Sequence, residues 1–231
     1  MSAEVRRLGF PVLQPIEAYG PAGDFRPQMD LRCRKVQRDL EALVRSGALF
    51  GIHCGVPCRT FSQLFRLFGS GTRTREQPEG SGCREDELLA NRDASWMCRL
   101  LGLVSRAGGW FTIENPGASY LWHLPCVRTL SESVDVYRVS IDQCQFGLGS
   151  PPGCKPREIW KKHIVFLCSD PGFRVLGRKC CSKHVHTPIK GSLKHEGKSQ
   201  GRSTLAAAYP VELCKHYARC IPRSGECGAP P

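Results

Sequence analysis

The sequence has no uninterrupted apolar run of about 18 residues, so a membrane-spanning helix is not expected. Its opening, MSAEVRRLGF, puts no apolar stretch after its charges, which argues against a secretory signal and for an intracellular protein, nuclear or cytoplasmic. Acidic side chains are in short supply. Only 21 Asp plus Glu face 33 Lys plus Arg, a net charge of +12, and this balance favours a polyanionic partner such as nucleic acid over a small neutral metabolite. Internal repeats are absent. Cysteine is plentiful, at 14, but lacks the regular spacing of a small disulfide scaffold, and the chain is long enough to fold without staples. Reduced thiols are the expectation.

What is present fits one moderate α/β domain or two small ones, since 231 residues at 41% hydrophobic composition bury a real core. Residues 9–18, with Val12, Leu13 and Ile16, read as a short buried strand. Val36, Leu40, Leu43 and Val44 recur at helical spacing and predict an amphipathic helix over 31–46, closed by Gly47. The apolar run 48–54 predicts a strand, and strand, helix, strand suggests a parallel sheet. Trp96, Leu100, Leu103 and Val104 predict a second helix within 86–106, stopped by Gly108 and Gly109. Further strands are expected at 110–114, around 134–142 and at 163–167. A last helix, capped by Ser203 or Thr204, is begun or kinked by Pro210. Residues 69–85 carry almost nothing apolar and predict a mobile surface loop. Residues 1–150 then form the α/β core. Residues 151–220 form a basic part that completes it, and 221–231 a disordered tail.

Two strand ends carry reactive groups to the carboxyl edge of the expected parallel sheet, where open α/β folds place their ligands. Cys58 follows one strand and Pro57, ahead of a helical turn over 60–68 whose N-terminus favours a thiolate. Glu114, followed by Asn115, ends the other. A thiol nucleophile and a carboxylic acid on neighbouring strands form a covalent-catalysis pair. Taken alone, each is ordinary: a strand cysteine is usually core and a strand-end glutamate usually a solvated cap. A hydrolase pairing Cys58 with His53 is weaker, because the alternation of a strand points His53 away.

Gly55-Val56-Pro57-Cys58-Arg59-Thr60-Phe61-Ser62 resembles the Pro-Cys-Gln-x-Phe-Ser nucleophile motif of the DNA cytosine-5 methyltransferases, with Arg59 in place of Gln. Glu114-Asn115-Pro116 is similar to that family's Glu-Asn-Val motif. The likeness to a divergent, dinoflagellate and viral-type branch is broader, covering roughly residues 9–220. It takes in Glu114 to Trp122, Asp142-Gln143-Cys144-Gln145-Phe146-Gly147, the late Cys/His cluster and the Ala-Ala-x-Tyr-Pro helix. The resemblance implies a Rossmann-like, mostly parallel methyltransferase sheet and S-adenosylmethionine as methyl donor. It also implies Cys58 as nucleophile on cytosine, Glu114 holding the ring and Asn115 orienting the site. Glu17, Asp30 and Pro57 are the implied cofactor residues, and Arg59, Ser62 and Gln143 the implied substrate residues. The family's Gln-x-Arg-x-Arg arginines are missing, and Lys155 and Arg157 are the nearby substitutes. Its Phe-x-Gly-x-Gly cofactor turn is missing too, so the sheet is expected to lack its first strand. The alternative implied by these departures is a non-catalytic nucleic-acid-binding module of the same fold.

Residues 155–202 hold 12 Lys or Arg against 3 acids, a local +9 that is either a solvated surface or a polyanion footprint. Within them Cys180, Cys181, His184 and His186 are candidate zinc ligands, although adjacent cysteines seldom chelate one ion together. The alternative is a basic loop facing phosphate or solvent. Trp110, Trp122 and Trp160 are expected to pack in the core rather than stack on bases.

Overall fold

The structure, a computed structural model, describes residues 1–19, 24–154, 156–195 and 197–222. The chain is mixed α/β and divides into two compact units. One comprises Leu13–Tyr137 with Leu167–Pro171; the other comprises Met1–Val12, Arg138–Phe166 and Gly172–Ile221. The division therefore falls near Arg138, not after residue 150, and the first residues join the second unit. The candidate tail residues 223–231 lie outside the described residues.

In the first unit, helix α2 (Arg34–Arg45) lays Leu40 and Val44 against Trp96, Leu100 and Val104 of helix α4 (Glu85–Arg106). Gly47 ends α2 in the left-handed conformation, φ 73°, that a residue without Cβ adopts at no steric cost. Glu85, Asp86 and Glu87 in the first turn of α4 and Arg106 in its last complement the helix dipole. Strands β1 (Gly51–Gly55) and β2 (Trp110–Pro116) pair in parallel, in register from Gly51 opposite Trp110 to Gly55 opposite Glu114. A Cβ on Gly51 would land on the Trp110 indole, so the absence of a side chain there admits the ring. Phe111, Thr112 and Ile113 are all fully buried, as expected of a strand covered on both faces. The remaining helices of this unit are α3 (Gln63–Phe68) and α5 (Pro125–Ser133).

The second unit opens with α1 (Ser2–Arg7), which packs on the last helix, α7 (Val211–Arg219). Strand β3 (Tyr137–Asp142) begins on a residue of the first unit, Tyr137, and continues in the second, and β4 (His163–Cys168) follows. A ribbon of β5 (Ser192–His195) and β6 (Lys198–Gly201) is antiparallel, and α6 (Arg202–Leu205) follows it directly. Leu148, Trp160 and Ala206 form one core, packed by Ile189, Leu193 and Leu205. Beside it Glu158 accepts hydrogen bonds from Trp160 Nε1 (2.6 Å) and Arg202 Nη2 (2.6 Å), and Arg202 also donates to the Ser192 carbonyl. Arg202 and Trp160 together hold the Glu158 carboxyl down at about 2.

The four-stranded sheet has the order β1-β2-β4-β3. It is mixed where a mostly parallel sheet was expected. The Gln143 amide, just past β3, donates to the Lys162 carbonyl, just before β4, and the Ser169 amide, just past β4, donates to Phe111 near the start of β2. Ends meeting beginnings in this way make β4 run against both neighbours. The expected strand at 9–18 does not form, and no ladder includes those residues. Pro11 and Pro15 supply no backbone donor, and Leu13 is 53% exposed; Ile16 alone of that apolar set reaches the α2–α4 core. Trp110, Trp122 and Trp160 are buried, as expected of packing residues.

Candidate functional site

The parallel pair brings together two of the residues singled out in the sequence. Register sets Glu114 level with Gly55, and the chain continues from Gly55 through Val56 and Pro57 to Cys58, which is exposed. Asn115, fully buried, donates from Nδ2 to the Val56 carbonyl at 2.8 Å and so ties the exit of β2 to the exit of β1. Its Oδ1 has no hydrogen-bond partner in this structure.

Beyond Cys58 the backbone makes two tight turns, Phe61 N to Cys58 O and Ser62 N to Arg59 O. The Phe61 carbonyl then accepts the Tyr120 amide at 2.9 Å, fastening the turn after Cys58 to the segment after β2. That segment is self-supporting. Ser119 Oγ caps the short turn 120–123 by accepting the Leu121 amide, and Trp122 Nε1 donates to the Pro116 carbonyl at 2.8 Å. The Ser, Leu and Trp of the Glu-Asn-Pro segment are thus scaffold for the end of β2.

Residues 69–85 differ from the solvated loop their composition predicts. They close around Arg73, which is 1% exposed. Its guanidinium donates to Asn91 Oδ1 (2.7 Å), to the Glu87 carbonyl (3.0 Å) and to the Pro78 carbonyl, and lies 4.2 Å from the centre of the Phe61 ring. The equally buried Glu87 carboxylate lies 4.0 Å from Arg73 Nε and accepts the Thr72 amide and hydroxyl. Arg73 therefore braces Phe61, three residues past Cys58. An open cavity of about 360 Å³ lies between α3 and this segment, lined by Gln63, Arg66, Leu67, Arg75, Glu76 and Tyr120 among others.

Other predicted site residues are placed less suggestively. Ser62 Oγ is occupied as the N-cap of α3, accepting the Leu64 amide. Arg59 is exposed and lies 5.6 Å from the Phe65 ring centre. Gln143 belongs to the other unit and is fully buried, so it offers no surface to a substrate. Arg157 is exposed, also in the second unit, and Lys155 lies outside the described residues. His53 bonds Thr112 Oγ1 through Nδ1 (2.8 Å), and burial pushes its pKa down to about 4, which keeps it neutral at pH 7.

Nothing in the placement of the residues named for S-adenosylmethionine supports binding of that group. Asp30 Oδ1 accepts the Arg32 amide at 2.9 Å, Glu17 sits in the segment that forms no ladder, and Pro57 is exposed.

A second cluster, wholly in the second unit, joins Cys144, Cys180, His184 and His186, whose ligand atoms lie within 4.8 Å of one another. Cys180 Sγ is 3.6 Å from Nε2 of His184 and 3.6 Å from Nε2 of His186, and the two nitrogens are 3.0 Å apart. Cys144 comes from the turn 143–146 directly after β3, and burial, with the Cys180 thiol beside it, pushes its pKa up to about 11. Asp142 Oδ2 accepts the Cys180 amide at 2.8 Å, and its Oδ1 lies 3.0 Å from His163 Nδ1. Burial opposes ionisation of Asp142, yet these two partners hold its pKa below the ordinary value. Cys181, expected among the ligands, is corrected to Cys144. Its sulfur lies 3.8 Å from Nδ1 of His184, across the ring from the nitrogen that faces the cluster, with Gln145 Nε2 at 3.7 Å. The signal for Cys144 was its place immediately after a strand in the Asp-Gln-Cys segment.

No disulfide links the described cysteines, and among the described residues no helix is long and apolar enough to cross a membrane. A scan against protein-family models and searches of curated proteins and of solved structures found no match.

Proposed function

We propose that this chain acts on cytosine in DNA as a methyltransferase-type protein, by adding Cys58 to the six-carbon of the base. One arrangement carries the reading: adjacent parallel strands end with Glu114 level with Gly55, three residues before an exposed Cys58, and Asn115 fastens the two ends. Under this reading β1 and β2 are the parallel core of a Rossmann-like sheet, with the reacting groups at its carboxyl edge.

Cytosine's five-carbon is too weakly nucleophilic to take a methyl group unaided. Addition of the Cys58 thiolate forms a sulfur–carbon bond at the six-carbon and displaces the π pair of the five–six bond towards the five-carbon. Glu114, hydrogen-bonded at ring nitrogen three, stabilises the charge that develops on the ring, and Asn115 fixes the strand end that carries it. The base must leave the duplex to meet Cys58. Arg66 and Arg75 at the cavity beside the nucleophile turn offer cations to the flanking phosphates, and the +9 of residues 155–202 adds attraction at longer range.

DNA carrying 2-pyrimidinone, whose six-carbon accepts a thiolate more readily than cytosine's, tests addition alone. A denaturation-resistant complex formed by the wild-type chain and lost in Cys58→Ala is the expected result. A reversible mobility shift that Cys58→Ala leaves unchanged overturns the proposal. DNA carrying 5-fluorocytosine, with S-adenosylmethionine added, then reports whether methyl transfer follows. A second reading is a nucleic-acid-binding module of the same fold, stabilised by zinc. It is favoured by the Cys/His cluster and by the lack of structural support for a methyl donor at Glu17, Asp30 and Pro57, and the reversible shift is its signature.

A further inference from the structure

We infer that Cys144, Cys180, His184 and His186 hold one zinc ion in a closed, structural site that orders the segment between Leu176 and Thr187. The inference stands apart from the Cys58 chemistry, since it rests on other residues in the other unit.

The donor set and its spacing carry the argument. Two thiols and two imidazoles are the ligands of tetrahedral zinc, at about 2.3 Å for sulfur and about 2.0–2.1 Å for nitrogen. Those bond lengths give a tetrahedron with sulfur–nitrogen edges of about 3.6 Å and a nitrogen–nitrogen edge of about 3.3 Å. The corresponding separations here are 3.6, 3.6 and 3.0 Å. Two ring nitrogens and a sulfur converging in this way place three lone-pair bearers around one point, an arrangement a cation stabilises.

The surroundings are those of metal ligands. The Ser182 amide reaches back to Cys180 Sγ at 3.3 Å, which requires the turn that puts Ser182 at φ 57°. An N–H aimed at a ligating sulfur stabilises its thiolate form. Asp142 grips the Cys180 amide, and the Asp142 amide in turn donates to the Arg178 carbonyl at 2.8 Å. Four side chains fill the coordination shell and leave no open position for substrate, so the site is structural rather than catalytic.

The segment needs such a centre. Between Leu176 and Thr187 no residue is buried and none lies in a helix or strand. Arg178 meets the Phe146 ring at 4.8 Å and its carbonyl accepts the Asp142 amide, but the exposed stretch beyond it buries no apolar side chain to offset the entropy of ordering it. Zinc would pin it to the end of β3 through Cys144.

Elemental analysis of the purified full chain should find about one zinc per chain. Replacement by cobalt should give the thiolate charge-transfer and tetrahedral ligand-field bands of a site with sulfur and nitrogen ligands. Cys144→Ser should lose the metal, whereas Cys181→Ser should keep it with an unchanged cobalt spectrum. In case Cys144→Ser does not fold, chelation of the wild-type chain gives the same information: amides 178–186 should lose hydrogen-exchange protection and regain it when zinc is restored. A wild-type chain that neither contains zinc nor takes up cobalt overturns the inference. So does a Cys181→Ser variant that loses the metal.

Discussion

Replacing Arg73 by Ala tests whether the segment 69–85 is ordered by a buried ion pair. Arg73 and Glu87 are each 1% exposed, and their nearest charged atoms are 4.0 Å apart. Truncation leaves the Asn91 amide oxygen and the carbonyls of Pro78 and Glu87 without their guanidinium donor. It also strips the face of Phe61 and abandons a buried carboxylate. Removing one partner of such a pair costs about 3–5 kcal/mol, most of it the uncompensated charge left behind. In urea, with a slope of about 2 kcal/mol per M, the midpoint of the first unit's transition should fall by roughly 2 M. Trp96, in the α2–α4 core, provides the fluorescence signal. Combining Arg73→Met with Glu87→Met should recover part of the loss, because no charge is then stranded. A cost for Arg73→Ala under about 1 kcal/mol, or a double variant as unstable as the two single losses added, would show that the pair does not order this segment.

Asn115→Ala should cost about 1 kcal/mol, since the partly buried Val56 carbonyl loses its donor; thermal unfolding measures it, and the yield of any Cys58 adduct should fall with it. Glu158 gives a pH signature. Its folded pKa lies near 2 against an ordinary 4.5, so its contribution to stability is fully present above about 4.5 and is lost as pH falls towards 2. Arg202→Ala should flatten the dependence of melting temperature on pH in that window, and an unchanged slope would remove Arg202 as its cause.

Periodicity located α2 and α4 because each buries one stripe against the other, and the unbroken apolar runs of β2 and β4 were visible because both faces are covered. Where residues 9–18 were concerned, apolar content outweighed two prolines that the ladder does not admit. Composition hid the order in residues 69–85, because a polar stretch there is organised by one guanidinium that joins the Pro78 carbonyl within it to Glu87 and Asn91 on α4. The end of the chain divides into α6 and α7 because Pro210 caps the second helix, in keeping with its reading as a break. At the candidate site Cys58 and Glu114 were readable as strand ends, but the Asn115 tether and the brace from Arg73 depend on side chains meeting across the fold. Cys144 was missed as a ligand because 36 residues separate it from Cys180.

Gly51 and Trp110 face one another at the start of the parallel pair, with the indole filling the space a Cβ would need. The two positions therefore share a single volume. Any side chain acquired at residue 51 requires a smaller residue at 110, and any shrinkage at 110 opens a void that only growth at 51 closes. Related chains that pack these strands equally well should change both positions in concert or neither, with summed volume as the quantity preserved.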